Sequence, residues 1–191
     1  MAVFAEFTKV APIGEASLVR FGPLVPSEVV DVWRKHGTGF VGDGYFRLVD
    51  PGRAQAMLGQ ASPLPEDAVI LFTTAMADLI GWWHGMFLVA KTRLGEIHAT
   101  SEPFDTLVAL MADLPGQRDI VWDWQPYPAA QTRLGVPSFE DCFMHIPLLL
   151  VGGRPDPDQM QTGGLWPHIM LMTAMTGPPK FTHMLPLPTS Q

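Results

Sequence analysis

Six histidines, one cysteine and nineteen acidic residues are the side chains in this chain that could hold a metal or carry catalysis. The histidines (His36, His84, His98, His145, His168 and His183) never stand at i,i+3 or i,i+4 from one another. Nor do they form the H-E-x-x-H arrangement that lets one helix face grip zinc. His145 lies three residues beyond Cys142, a spacing at which an imidazole could activate a thiol. Cys142, however, shares an apolar stripe with Phe139, Phe143 and Ile146 and reads as a buried structural thiol. A lone cysteine also excludes an internal disulfide and a multi-thiolate zinc site. The glycine cluster Gly37–Gly44 lacks the G-x-x-x-x-G-K-[ST] pattern. Its order is helix, loop, strand, whereas a phosphate loop needs strand, loop, helix. Asp43, between Gly42 and Gly44, reads as a turn former, and Asp156-Pro157-Asp158 offers too few oxygens for a calcium loop. The remaining carboxylates are dispersed. The sequence thus presents no catalytic residue, no metal site and no cofactor site.

The elements that would position these side chains follow from periodicity. Ser27 is a candidate N-cap for a helix with Val29, Val30 and Trp33 on its apolar face, stopped at Gly37. Tyr45–Val49 reads as a strand closed by Asp50-Pro51, and Arg53–Leu58 as a short helix. From Ala68 to His98, four runs rich in branched and aromatic residues predict a β-meander: Val69–Thr74, Leu79–Trp83, Met86–Val89 and Gly95–His98. The period then changes, and Phe104, Leu107, Val108 and Met111 predict a helix. Gln117–Gln131 is ambiguous. Phe139, Cys142, Phe143 and Ile146 fit one helical face that Pro147 must interrupt. Trp166–Met175 is the last predicted helix, and the Pro-rich tail after Lys180 reads as irregular. The expected fold is α+β: a mixed, largely antiparallel sheet from residues 1–100, packed with helices from residues 101–191 into one globular unit.

Composition narrows the function. Twelve basic against nineteen acidic residues give a net charge of −7, which disfavours direct nucleic-acid binding and attracts a basic partner. Charged residues are only 16% of the chain and hydrophobic ones 47%, compatible either with a large core or with apolar surface kept for a partner. The segment Gln159–Pro179 has no Asp, Glu, Lys or Arg and carries Met160, Met170, Met172 and Met175. It reads as a core helix or as an adaptable interface. Trp82 and Trp83 cannot both face one core if they lie on a strand. The N-terminus has no basic-then-apolar leader and no run reaches membrane-span length, so a cytoplasmic protein is expected.

Two blocks carry a resemblance. Val25 to Gly37, with its Trp33-x-x-x-Gly37 ending, followed by Asp43-Gly-Tyr-Phe-Arg-Leu-Val-Asp-Pro51, resembles the opening of the GAD-like domain family. Phe72 to Ile80 is similar to that family's later strand pair, with Ala77 where a glycine often precedes the aspartate. Leu134–Pro147 and Gly152–Pro178 are similar to the C-terminal region found with that domain, although this chain has Met and Pro where the final helix usually carries Lys and Glu. The resemblance implies an immunity protein, without enzymatic activity, that binds a cognate DNase toxin delivered by bacterial type VI secretion. A nuclease presents cationic groups to DNA, so acids beside exposed aromatics are the expected contacts: Asp43, Asp119 and Asp123 with Trp82 or Trp122. A small-molecule-binding regulatory domain with a Trp-lined pocket is the alternative reading, and an enzyme of another type the third.

Overall fold

A computed structural model describes residues 2–112, 117–177 and 180–184. Its centre is an eight-stranded sheet whose strands follow chain order except the last. The strands are β1 (Thr8–Ala11), β2 (Thr38–Val41), β3 (Phe46–Leu48), β4 (Val69–Thr74), β5 (Leu79–Trp83), β6 (Met86–Lys91), β7 (Glu96–Thr100) and β10 (Lys180–Met184). All neighbouring pairs are antiparallel except β10, which runs parallel to β7. A second, two-stranded sheet joins β8 (Asp141–His145) to β9 (Met160–Gly164). The α+β class with a mixed, largely antiparallel sheet is therefore as the sequence predicts.

Both faces of the large sheet are covered, because successive strand residues alternate in direction. Phe46, Leu48, Ile80, Phe87 and Val89 join one core with α2 (Ser27–His36), α4 (Phe104–Met111), α5 (Gln117–Trp122) and α6 (Pro126–Leu134). Leu79, Leu88, Ala90, Ile97 and Ala99 join a second core with α3 (Pro51–Leu58) and α7 (Leu165–Thr176). Trp82 packs against the first core and Trp83 against the second, as their adjacency on β5 requires. The alternation also directs Arg47, between Phe46 and Leu48, away from the first core.

Several local expectations are corrected. Ser27 is the first helical residue and makes no cap; its hydroxyl donates to the Glu28 carboxylate at 3.0 Å. α3 is the better-capped helix, with Asp50 accepting from the amides of Gly52 and Arg53. The glycine cluster is partly a strand, since β2 begins at Thr38. A Cβ on Gly39 would lie 2.3 Å from the Thr8 carbonyl, so glycine there lets β1 close onto β2. The helix expected over 139–146 is strand β8. The Arg47 guanidinium donates to the carbonyls of Pro137, Phe139 and Asp141, and the Phe143 amide donates to the Ala75 carbonyl. These groups consequently satisfy tertiary partners instead of a helical ladder. Gly163 opposite makes room for Met144, whose methyl would lie 2.2 Å from an added Cβ. The tail expected to be irregular supplies β10 over Lys180–Met184; residues 185–191 lie outside the described residues. Residues 101–191 are accordingly not all-helical: they hold β8, β9 and β10. β1 and α1 (Glu15–Phe21) have no counterpart in the periodicity reading.

Candidate functional site

Two turns and one helix end build the most highly charged interior of the protein. The β4–β5 turn, Thr74–Asp78, places Asp78 inside and holds Ala77 at φ +63°. That left-handed backbone is one glycine adopts more readily than alanine. The turn is locked by the Thr74 hydroxyl, which accepts from the amides of Met76 and Asp78, and by Thr92, whose hydroxyl donates to the Ala77 carbonyl at 2.8 Å. The end of β6 supplies Lys91 and the β6–β7 turn supplies Arg93, both buried. Arg93 Nη1 donates to Asp78 Oδ2 at 2.5 Å, and Arg93 Nη2 donates to the Trp122 carbonyl at 3.1 Å. Lys91 Nζ donates to Asp123 Oδ2 at 2.6 Å, and Arg93 Nη2 reaches the same oxygen at 3.4 Å. Burial pushes the Asp78 carboxyl above the usual range, with Arg93 opposing. Two cations and two carboxylates make the group neutral.

Asp123 connects this interior to solvent. It follows α5 with φ +49° and its side chain is 46% exposed, while those of Lys91 and Arg93 are 4% and 6% exposed. An aspartate tolerates the left-handed region better than most residues, and the two buried cations hold it there. Asp123 also stands at the mouth of an open cleft of about 550 Å³. Asp119, Gln125, Pro126 and Ala129 form one wall, and Pro155 and Pro157 form the other. Asp119 Oδ2 accepts from Gln125 at 2.8 Å. Arg133 braces the opposite wall by donating to the Pro157 carbonyl at 2.8 Å. Asp156 accepts from the Asp158 amide in that same wall. Ile120, next to Asp119, is 70% exposed. The cleft combines carboxylates with apolar rim, an arrangement suited to a cationic side chain carried on an apolar segment.

Of the residues expected from sequence to contact a partner, Asp119 and Asp123 come together at this cleft. Asp43 does not line it. Its carboxylate accepts from Arg118 at 2.8 Å and from the Tyr45 amide at 3.1 Å, so it forms the turn and ties it to α5. Trp82 is half-buried against Phe87 and also lies away from the cleft. Trp122 is a correction: it is 1% exposed, its indole donates to the Leu110 carbonyl at 2.6 Å, and its ring meets Phe46 edge-on. It belongs to the core and cannot be a surface anchor. Lys91, Arg93 and Asp78 were missed by sequence reasoning. The signal was their charge inside an otherwise apolar meander, which is costly unless paired.

Other reactive groups lie elsewhere. Burial pushes the Cys142 thiol up to about 12, leaving it protonated and a poor nucleophile at neutral pH. Among the described residues no group of three or more His, Cys, Asp or Glu is placed to hold a metal ion, and no helix is long and apolar enough to cross a membrane. A second cleft, of about 470 Å³ between α3 and the start of β4, has Phe21 as its one aromatic, so the tryptophans do not line it. His145 and His168 are buried with Nδ1 of each unpartnered. Burial, and secondarily His145, lower His168 to about 4. The unfolded chain therefore takes up a proton near pH 6.5 that the folded chain refuses until about pH 4. Stability is expected to fall as the pH drops through that window. The replacement His168→Leu should remove about 3 kcal/mol of the fall, measured as urea midpoints from pH 7 to pH 4. An unchanged slope would refute this.

No family model matches the chain, and no curated protein matches it. A solved structure does share its fold. The crystal structure of Atu4351 from Agrobacterium tumefaciens superposes with a TM-score of 0.69, at 15% identity, over 94% of this chain and 89% of that one. The likeness is one of fold.

Proposed function

We propose that this protein is an immunity protein that binds and neutralises a basic DNase toxin of type VI secretion, without catalysis of its own. The observation that carries this reading is the cleft in which Asp119 and Asp123 meet beside Ile120 and the prolines of the opposite wall. A nuclease site must be cationic to hold phosphates. Carboxylates on a rigid wall attract those cations and exposed apolar side chains supply contact area. Asp123 is neutralised within its group with Lys91 and Arg93, so Asp119 carries the unpaired negative charge of that wall. The resemblance of residues 25–37, 42–51, 72–80, 134–147 and 152–178 to the GAD-like family and its companion region supports the same reading.

The test is co-expression with the basic nuclease encoded beside its gene, scored by survival and co-purification. Wild-type protein should protect and co-purify. The double change Asp119→Lys with Ile120→Arg reverses charge at the half-buried Asp119 and removes the apolar contact at the exposed Ile120. It should weaken the complex at least ~10-fold, about 1.4 kcal/mol, and Ile120→Arg alone, at an exposed position, should weaken it with an unchanged melting temperature. Cell death with wild-type protein and no complex would overturn the proposal for that toxin. Full protection by the double variant would move the contact elsewhere.

A further inference from the structure

Helix α7 has an unusual division of faces. Leu165, Trp166, His168, Ile169 and Met172 are buried against the second core. The outward positions Pro167, Met170, Leu171, Ala174 and Met175 follow the i, i+3, i+4, i+7, i+8 spacing, and all are exposed and apolar. A surface helix ordinarily turns charge to solvent, and one that is apolar all round is normally covered. Met170, Leu171 and Met175 are 40%, 49% and 44% exposed. The β6–β7 turn touches the end of this helix, because a Cβ on Gly95 would lie 3.0 Å from Thr176. Leu94 of that turn is exposed too, as is Phe181 on the adjoining β10. Such a strip reaches the ~300–600 Å² that marks the largest patches on monomers.

We infer that this face is where a second copy of the chain docks, in a two-fold pairing of α7 with α7. Charge selects the occupant. With a net charge of −7, two copies repel wherever carboxylates face one another. Residues 159–177 contain no Asp, Glu, Lys or Arg, so across this face the approach costs least. A cationic partner is drawn instead to carboxylates, which this face lacks. An isologous contact brings the same patch to itself. Antiparallel α7 helices set Met170 and Leu171 of one copy against Ala174 and Met175 of the other. Ala174 permits close approach, and the flexible methionines fill the remaining gaps. α5 and α6 pack on the first core and α7 on the second, so the pairing leaves the Asp119–Asp123 cleft open.

Sedimentation equilibrium of the full chain tests the inference. Wild-type protein should shift from its 21.0 kDa monomer to a dimer at micromolar concentrations. Leu171→Glu with Met175→Glu should weaken the association at least ~10-fold, with helical circular dichroism retained. Met170→Lys is the second variant if the first does not fold, and Asp119→Lys should leave the dimer intact. A wild-type monomer at ~100 μM would overturn the inference, as would a dimer that both α7 variants leave unchanged. Loss of toxin binding by the α7 variants of a monomeric protein would assign the face to the toxin and likewise overturn it.

Discussion

Exchanging Arg93 for methionine is expected to destabilise the fold by about 3–5 kcal/mol, among the largest effects any single change should have. Arg93 is buried and neutralises Asp78, which is 1% exposed. It also donates to the Trp122 carbonyl and reaches Asp123, linking the β4–β5 turn to the end of α5. Methionine fills much of the volume but leaves the Asp78 carboxylate uncompensated in a medium that penalises charge. The damage should depend on pH in a defined direction. Burial already raises the Asp78 carboxyl, and without its cation the folded-state value rises further. The penalty is therefore full at neutral pH and fades as Asp78 takes up a proton, vanishing below the ordinary value near 3.8. Urea midpoints of wild type and variant should converge as the pH is lowered. Asp78→Asn combined with Arg93→Met removes both charges and should recover about half of the loss. A constant difference across pH would show that the cost came from packing and not from the stranded charge.

Trp122→Ala is expected to cost about 3–5 kcal/mol as well, through a different mechanism. The indole is enclosed, meets Phe46 edge-on and satisfies the Leu110 carbonyl, so truncation leaves a cavity and an unpartnered acceptor. Its own carbonyl accepts from the Tyr45 hydroxyl at 2.9 Å and from Arg93, which couples the residue to the charged interior. Trp122→Phe keeps the ring contact, loses one donor and should cost about 1–2 kcal/mol. Equilibrium unfolding distinguishes this from a surface role. An alanine variant that unfolds like wild type would show that Trp122 is not part of the core.

The two tryptophan positions show how far a linear reading reaches. Trp82 and Trp83 were legible because a strand alternates strictly, and each packs on its own side of the sheet. Trp122 was not, since acids on either side suggested exposure whereas the short helix α5 turns Val121 and Trp122 inward and Ile120 outward. The meander and α4 were read closely for the same reason: their apolar periods are long and uninterrupted. Phe139–Ile146 misled because its spacing fits a helical face, while three carbonyls of 137–141 are claimed by Arg47 from a strand about ninety positions earlier. Nothing local signals that claim. The cleft was half legible. Asp119 and Asp123 stand at i,i+4, but Pro155 and Pro157 reach them only through the chain's long return. Lys91, Arg93 and Asp78 likewise pair only once two separate turns meet at one end of the sheet.

The parallel strand β10 has a consequence for the timing of folding. Strands β1 to β7 are laid down within the first hundred residues, but the edge beside β7 stays bare until Lys180–Met184 has been made. The second face of the sheet likewise lacks its α7 cover until Leu165–Thr176 exists. A ribosome that stalls at mid-message would release a fragment with an open edge and a bare apolar face, prone to clumping and to proteolysis. The dose of folded protein in a cell should therefore follow completed synthesis, and partial translation products should not accumulate as folded protein.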